Sequence, residues 1–270
     1  MKTKAIFLDL DGTLNNDSKL ITPRTRAALM ELQQKEVRLV LASARPTPGL
    51  YKERDTLRIT QFGGILMAYN GGQIVEASTG KVLYERKLDM EAARSVLRFL
   101  ETLQVTPILD DGKEFFVTDP NGYKVEYECQ NNRMRCNTVK NLADFLSFNP
   151  NKILMSADPA WLPSIQQEIR KIIPEGMSVV QTAPFYLEII PRDIHKGIGL
   201  LRTCKALDID PKYTLAFGDA ENDIPMLQEA GIGVAMGNAA DEVKAAADYI
   251  TLSNNEDGIA AALEAFKNDW

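Results

Sequence analysis

The sequence predicts an α/β protein: a doubly wound parallel-sheet core assembled from both ends of the chain, with an α+β domain inserted between them. Three observations carry this expectation. Apolar runs at 5–8 and 37–42 flank a helix-forming stretch, and strand–helix–strand order implies a parallel pair with a right-handed crossover. After residue 64 the pattern changes to hairpins mixed with helices. Past Pro191-Arg192, strict alternation of strand and helix returns.

The elements follow in order. Thr22 is an N-cap and Pro23 takes the first helical position, so a helix runs to about Glu36 with Ala28, Leu29 and Leu32 on one side. Strands at 65–69, 73–76 and 81–84 are separated by Asn70-Gly71-Gly72 and Ser78-Thr79-Gly80, both hairpin-type turn signals. A helix is expected from 89 to about 103, then strands at 105–109 and 114–118 joined through Asp111-Gly112. A short helix near 141–147, a strand at 152–156, a helix over 161–173 and strands at 177–183 and 185–190 complete the insert. The returning core supplies helices at about 195–207, 222–230, 239–247 and 257–267, with strands at 213–217, 232–235 and Tyr249-Ile250. The core is thus expected over 1–83 and 191–270 and the insert over 84–190.

Composition narrows the function. The chain has 270 residues, 45% hydrophobic and 25% charged, enough for a sizeable core in one or two domains. A net charge of −6 without a Lys/Arg-dense run excludes an obvious nucleic-acid face. Cys129, Cys136 and Cys204 form no CxxC pair, which points to reduced thiols rather than a disulfide framework or zinc knuckle. The N-terminal apolar stretch is too short for a signal peptide and no run approaches a membrane span, so the chain reads as cytoplasmic with no membrane partner. Its oligomeric state stays open.

Ligands of open α/β sheets bind outside the carboxyl ends of the strands. Three strand ends carry polar residues here. Asp9 and Asp11 end the first, and two carboxylates at such a place are costly unless they meet a cation or donors; capping a turn is the alternative. Gly12 allows backbone to approach a ligand closely. Asp219 opens Gly218-Asp219-Ala220-Glu221-Asn222-Asp223, a cluster of oxygen donors that suits a hard cation such as magnesium, although an acidic helix start would look similar. Ser43, just past the second strand, could donate to a phosphate oxygen or simply cap a helix. Lys196 could neutralise a phosphate or lie on a surface helix. His195, the single histidine, reads as a helix-start residue.

Taken together these residues resemble the haloacid dehalogenase superfamily. The motifs fall in order: Asp9-Leu10-Asp11-Gly12-Thr13, Ser43, Lys196, and Gly218-Asp219 with Asn222-Asp223. The long insert after Ser43 and the Asn70-Gly71-Gly72 segment look like its Cof-type phosphatase branch, with a Rossmann-like core and an α+β cap that selects substrate. One departure is Ser43-Ala44-Arg45 where that branch often has Thr-Gly-Arg. The resemblance implies Asp9 as nucleophile and Asp11 as general acid and base. It implies Mg2+ held by the Asp9 carboxylate, the Asp11 backbone carbonyl and Asp219, with Asn222 and Asp223 supporting. Leu10, Ser43, Ala44 and Lys196 would hold the phosphoryl group, and Arg45 is a candidate substrate contact. The implied reaction is hydrolysis of small phosphate monoesters, such as sugar phosphates, through an aspartyl-phosphate. A phosphomutase, or a receiver-like phospho-aspartate switch, would use related residues.

Overall fold

The structure, a computed structural model, describes residues 3–267; the outermost ends of the expected core segments, 1–2 and 268–270, lie outside them. The chain divides into two compact units. The first holds the described residues up to Ala44, then Leu50–Glu85, and those from His195 on; the second holds Arg45–Gly49 and Arg86–Ile194.

The first unit begins with β1 (Ala5–Asp9), α1 (Pro23–Gln34), β2 (Arg38–Ala42), α2 (Tyr51–Thr56), β3 (Ile65–Ala68), β4 (Gln73–Glu76) and β5 (Val82–Glu85). The Thr22 hydroxyl accepts from the Thr25 amide and Pro23 follows, so α1 starts where the cap and proline require. The second unit contributes α3 (Met90–Leu100), β6 (Thr106–Asp110), β7 (Phe115–Val117), α4 (Val125–Asn132), β8 (Cys136–Thr138), α5 (Leu142–Phe145), β9 (Ile153–Ser156), α6 (Leu162–Ile172), β10 (Met177–Ala183) and β11 (Tyr186–Pro191). The first unit resumes with α7 (Lys196–Leu207), β12 (Thr214–Gly218), α8 (Ile224–Glu229), β13 (Ile232–Ala235), α9 (Asp241–Ala245), β14 (Tyr249–Ile250) and α10 (Gly258–Ala265).

The core sheet has the order β14-β13-β12-β1-β2-β3-β4-β5. Strands β14 to β3 are parallel; β4 and β5 add an antiparallel edge. Every residue of β1 is buried, as a strand covered on both faces requires. One apolar cluster, with Leu8, Leu39, Leu41, Phe217 and Leu263, lies on one face, and another, with Phe7, Val40, Met67, Leu200 and Ala216, on the other. From β1 the chain runs out to β2 on one side and later returns at β12 on the other. That reversal opens a crevice at the carboxyl ends of β1 and β12.

The second unit is a six-stranded sheet of order β10-β11-β9-β6-β7-β8, antiparallel except for the β7–β8 pair. Val96, Leu97, Ile165 and Ile169 of its helices pack with Ile153, Leu187 and Ile189 of its strands. It also buries a charged knot: Lys152 Nζ lies 2.7 Å from Glu188 Oε1, and Asn132 donates to Glu128 Oε1 at 2.8 Å. Burial pushes the Glu128 carboxyl up against the pull of Lys152.

Helical turns over 47–61, helix α4 and strand β8 go beyond the sequence expectation. Helix α4 starts from Lys124 at φ 59° with no side-chain cap, so it carries no start signal. Strand β8 is only three residues long. Among the described residues, no helix is long and apolar enough to cross a membrane.

Candidate active site

Strand β1 delivers Asp9 as its last residue, inside the crevice and buried. The backbone then turns sharply: the Leu14 and Asn15 amides donate back to the Asp9 and Leu10 carbonyls at 3.1 and 2.9 Å. Gly12 makes this turn with φ 87°, a conformation that side-chain-bearing residues rarely adopt. A Cβ on Gly12 would lie 2.3 Å from Asp219 Oδ2, so glycine is also what lets the two loops meet.

Strand β12 supplies the opposite wall. Thr13 Oγ1 donates to Asp219 Oδ1 at 2.7 Å. Asp223 folds back over the strand end, where its Oδ2 accepts from the Asp219 and Ala220 amides, each at 3.0 Å. His195 is the N-cap of α7, its Nδ1 accepting from the Ile198 amide at 3.3 Å, which makes Lys196 the first helical residue. From there Lys196 Nζ donates to Asp9 Oδ1 at 2.5 Å and to Asp223 Oδ1 at 2.6 Å.

The electrostatics are lopsided. Burial alone would lower Lys196, but Asp223 and Asp9 outweigh it and raise the amine above its ordinary value. Burial lifts the Asp9 carboxyl well above its ordinary value; Asp223 and Asp219 add to this and Lys196 opposes it. Asp219 is pushed up to about 6, chiefly by burial, against the hydrogen bond from Thr13. One ammonium therefore does not offset the clustered carboxylates, even though it touches Asp9 directly.

Oxygens of Asp9, Asp219 and Asp223 lie within 4.8 Å of one another, close enough for one ion. This donor set is all oxygen and its negative charge is under-compensated, which suits a hard cation. Asp223 also accepts from Lys196 and from two backbone amides. The Asp11 carboxylate lies outside the cluster; Lys19 Nζ holds it at 2.6 Å on the half-exposed side, and only its backbone carbonyl is expected to serve a metal.

Leu10 is fully buried, and Ser43 is buried just past β2, its amide donating to Met67 at 2.9 Å. Ala44 follows at the end of the first unit. Asn222 donates to Asn70 Oδ1 at 3.0 Å. Arg45 belongs to the second unit, where its guanidinium donates to the carbonyl and side-chain oxygens of Asn131 at 3.0 and 2.9 Å. Three partners were not anticipated: Thr13 on Asp219, Lys19 on Asp11 and Asn70 on Asn222. Thr13 was visible within the first motif; the other two carry no spacing signal.

Carboxylates gathered beside a buried lysine, at the reversal point of a doubly wound sheet, define an enzyme core of the α/β class. The family model for haloacid dehalogenase-like hydrolases matches residues 6–263. A solved haloacid dehalogenase-like hydrolase from Bacteroides thetaiotaomicron has a TM-score of 0.93 at 35% identity, covering 98% of this chain and 100% of that one. A solved subclass IIB sugar phosphatase has a TM-score of 0.82 at 26% identity, covering 98% and 99%. The 5-amino-6-(5-phospho-D-ribitylamino)uracil phosphatase YcsE of Bacillus subtilis is 30% identical over 262 residues, 96% of this chain and 94% of that protein. The chain belongs to the haloacid dehalogenase-like hydrolase family, in its Cof-type phosphatase branch.

Proposed function

We propose that this phosphatase hydrolyses small phosphate monoesters, sugar phosphates or similar metabolites, with magnesium and through a phosphorylated Asp9. The observation that carries the reading is the contact of Lys196 with Asp9 beside Asp219 and Asp223, all buried or nearly so at one strand-end crevice.

Asp9 attacks the phosphorus and the ester oxygen leaves. Asp11, partly exposed, gives that oxygen a proton as it departs. The product is an acyl phosphate on Asp9. Water then attacks the same phosphorus, Asp11 takes its proton, and phosphate leaves with Asp9 restored. Lys196 offsets the repulsion between two anions, with the Ser43 hydroxyl and the Leu10 and Ala44 amides donating to phosphoryl oxygens. Asp9, the Asp11 carbonyl and Asp219 would hold magnesium, which supplies charge neutralisation at the phosphoryl group. The second unit would act as the cap that selects the leaving group, with Arg45 among its residues. Unpaired thiols at Cys129, Cys136 and Cys204 favour a cytoplasmic setting.

A panel of phosphorylated metabolites, scored for released phosphate with and without EDTA, tests this reading. Turnover that EDTA removes and added magnesium restores is the expected outcome. Hydrolysis untouched by EDTA would rule out the metal. Transfer between isomeric sugar phosphates with little released phosphate would replace the phosphatase by a mutase.

A further inference from the structure

The link between β3 and β4 is more strained than a hairpin needs. Ala68 pairs with Gln73, so residues 69–72 make the turn, a length normally served by an ordinary type I turn. Instead Tyr69 and Asn70 are consecutive non-glycine residues at φ 50° and 56°. Asparagine tolerates the left-handed region; a bulky tyrosine does so only at a cost. Both are buried, Tyr69 2% and Asn70 4% exposed. Such strain persists only where the surroundings over-determine it, and it concentrates at functional sites.

The contacts of this turn show what determines it. The Asn70 amide donates to the Ser43 carbonyl at 2.9 Å. The Asn70 side-chain oxygen accepts from Asn222 Nδ2 at 3.0 Å. Gly71, at φ 89°, is pressed against the start of α7: a Cβ there would lie 2.8 Å from Gly199 Cα and 3.2 Å from the His195 carbonyl. One strained turn therefore touches the three chain segments that carry Ser43, Lys196 and Asn222. These segments are far apart in sequence.

We propose that Asn70 is a positioning residue for the phosphoryl-transfer reaction. Its side-chain oxygen fixes which way the Asn222 amide faces, because an amide whose Nδ2 is committed has its Oδ1 direction set as well. Its backbone amide pins the Ser43 end of β2. The left-handed backbone at 69 and 70 is what lets one residue do both. The inference rests on the phosphatase reading for its kinetic consequence, but the Asn70–Asn222 contact itself does not.

Asn70→Gly tests it, since glycine keeps the backbone conformation and removes only the side chain. With a substrate that the wild type hydrolyses, kcat should fall about 10–100-fold, the scale of a small misplacement at a reacting centre. KM should stay within about threefold, as expected when the lost interaction acts in the transition state. Asn222→Ala should lose a similar factor, and the Asn70→Gly/Asn222→Ala double variant should be no worse than the poorer single variant. In nitrogen–proton correlation spectra, the Asn222 side-chain resonances, identified by their absence from Asn222→Ala, should shift in Asn70→Gly while the thermal midpoint holds. Wild-type kcat in Asn70→Gly, losses that multiply in the double variant, or unmoved Asn222 resonances would each overturn the proposal. A wild type that releases no phosphate from any ester would instead sink the phosphatase reading, and the spectra would still decide the contact.

Discussion

Lys196 donates to Asp9 across 2.5 Å in a crevice where the lysine side chain is 1% exposed. A buried ammonium of this kind persists only beside carboxylates, and Asp223 supplies the second one. The lysine thus bridges the end of β1 and the turn after β12.

Lys196→Met should lower stability by about 3–5 kcal/mol, because it leaves buried carboxylates without their counter-ion. Turnover should fall below detection in the same variant. Lys196→Arg should not recover it, since a planar guanidinium cannot replace a compact ammonium between two carboxylates in a closed space. Urea unfolding together with phosphate release checks both parts; an active arginine variant would show that only the charge matters.

Magnesium should stabilise the protein more as pH rises. Folded Asp219 keeps its proton up to about pH 6, whereas the unfolded carboxyl loses it near 3.8. A raised carboxyl contributes stability that is fully present below about pH 4 and lost as pH climbs through 6. Asp9 shifts in the same direction. Without a cation, the loss from Asp219 is on the order of 3 kcal/mol by pH 7. The rise in thermal midpoint on adding magnesium should therefore be small at pH 5 and several degrees at pH 7.5. Equal rises at both values would separate the ion from this cluster.

Gly12→Ala should cost both stability and rate. The left-handed φ of 87° carries a strain of roughly 1–2 kcal/mol for an alanine. Its methyl group would also displace Asp219, so the magnesium-induced rise in midpoint should disappear and kcat should drop about 100-fold or more. A variant that keeps its response to magnesium would show that the two loops need not meet so closely.

Much of the core was legible because strand ends break sharply. Apolar runs such as 5–8 stop at an aspartate, and a doubly wound sheet sends such ends to one crevice. Helices with a cap and a proline, or with strong amphipathic spacing as in α3 and α6, were legible for the same local reason. Helix α4 was not, since its first residue follows an uncapped left-handed lysine. Nor did spacing reveal that Asn70, which looks like a plain turn residue, reaches Asn222, 152 positions away. Arg45 follows Ser43 by two residues yet groups with the second unit, because its guanidinium bonds to Asn131 there. Such long-range side-chain partners depend on packing, which no local pattern encodes.

The central claim is that Asp9 becomes phosphorylated during turnover. Enzyme quenched in acid during steady-state hydrolysis and reduced with borohydride should show homoserine at position 9 in its peptide map, and the Asp9→Asn variant should show neither homoserine nor phosphate release. Active wild-type enzyme with the reduced residue at another position, or at none, would contradict the account.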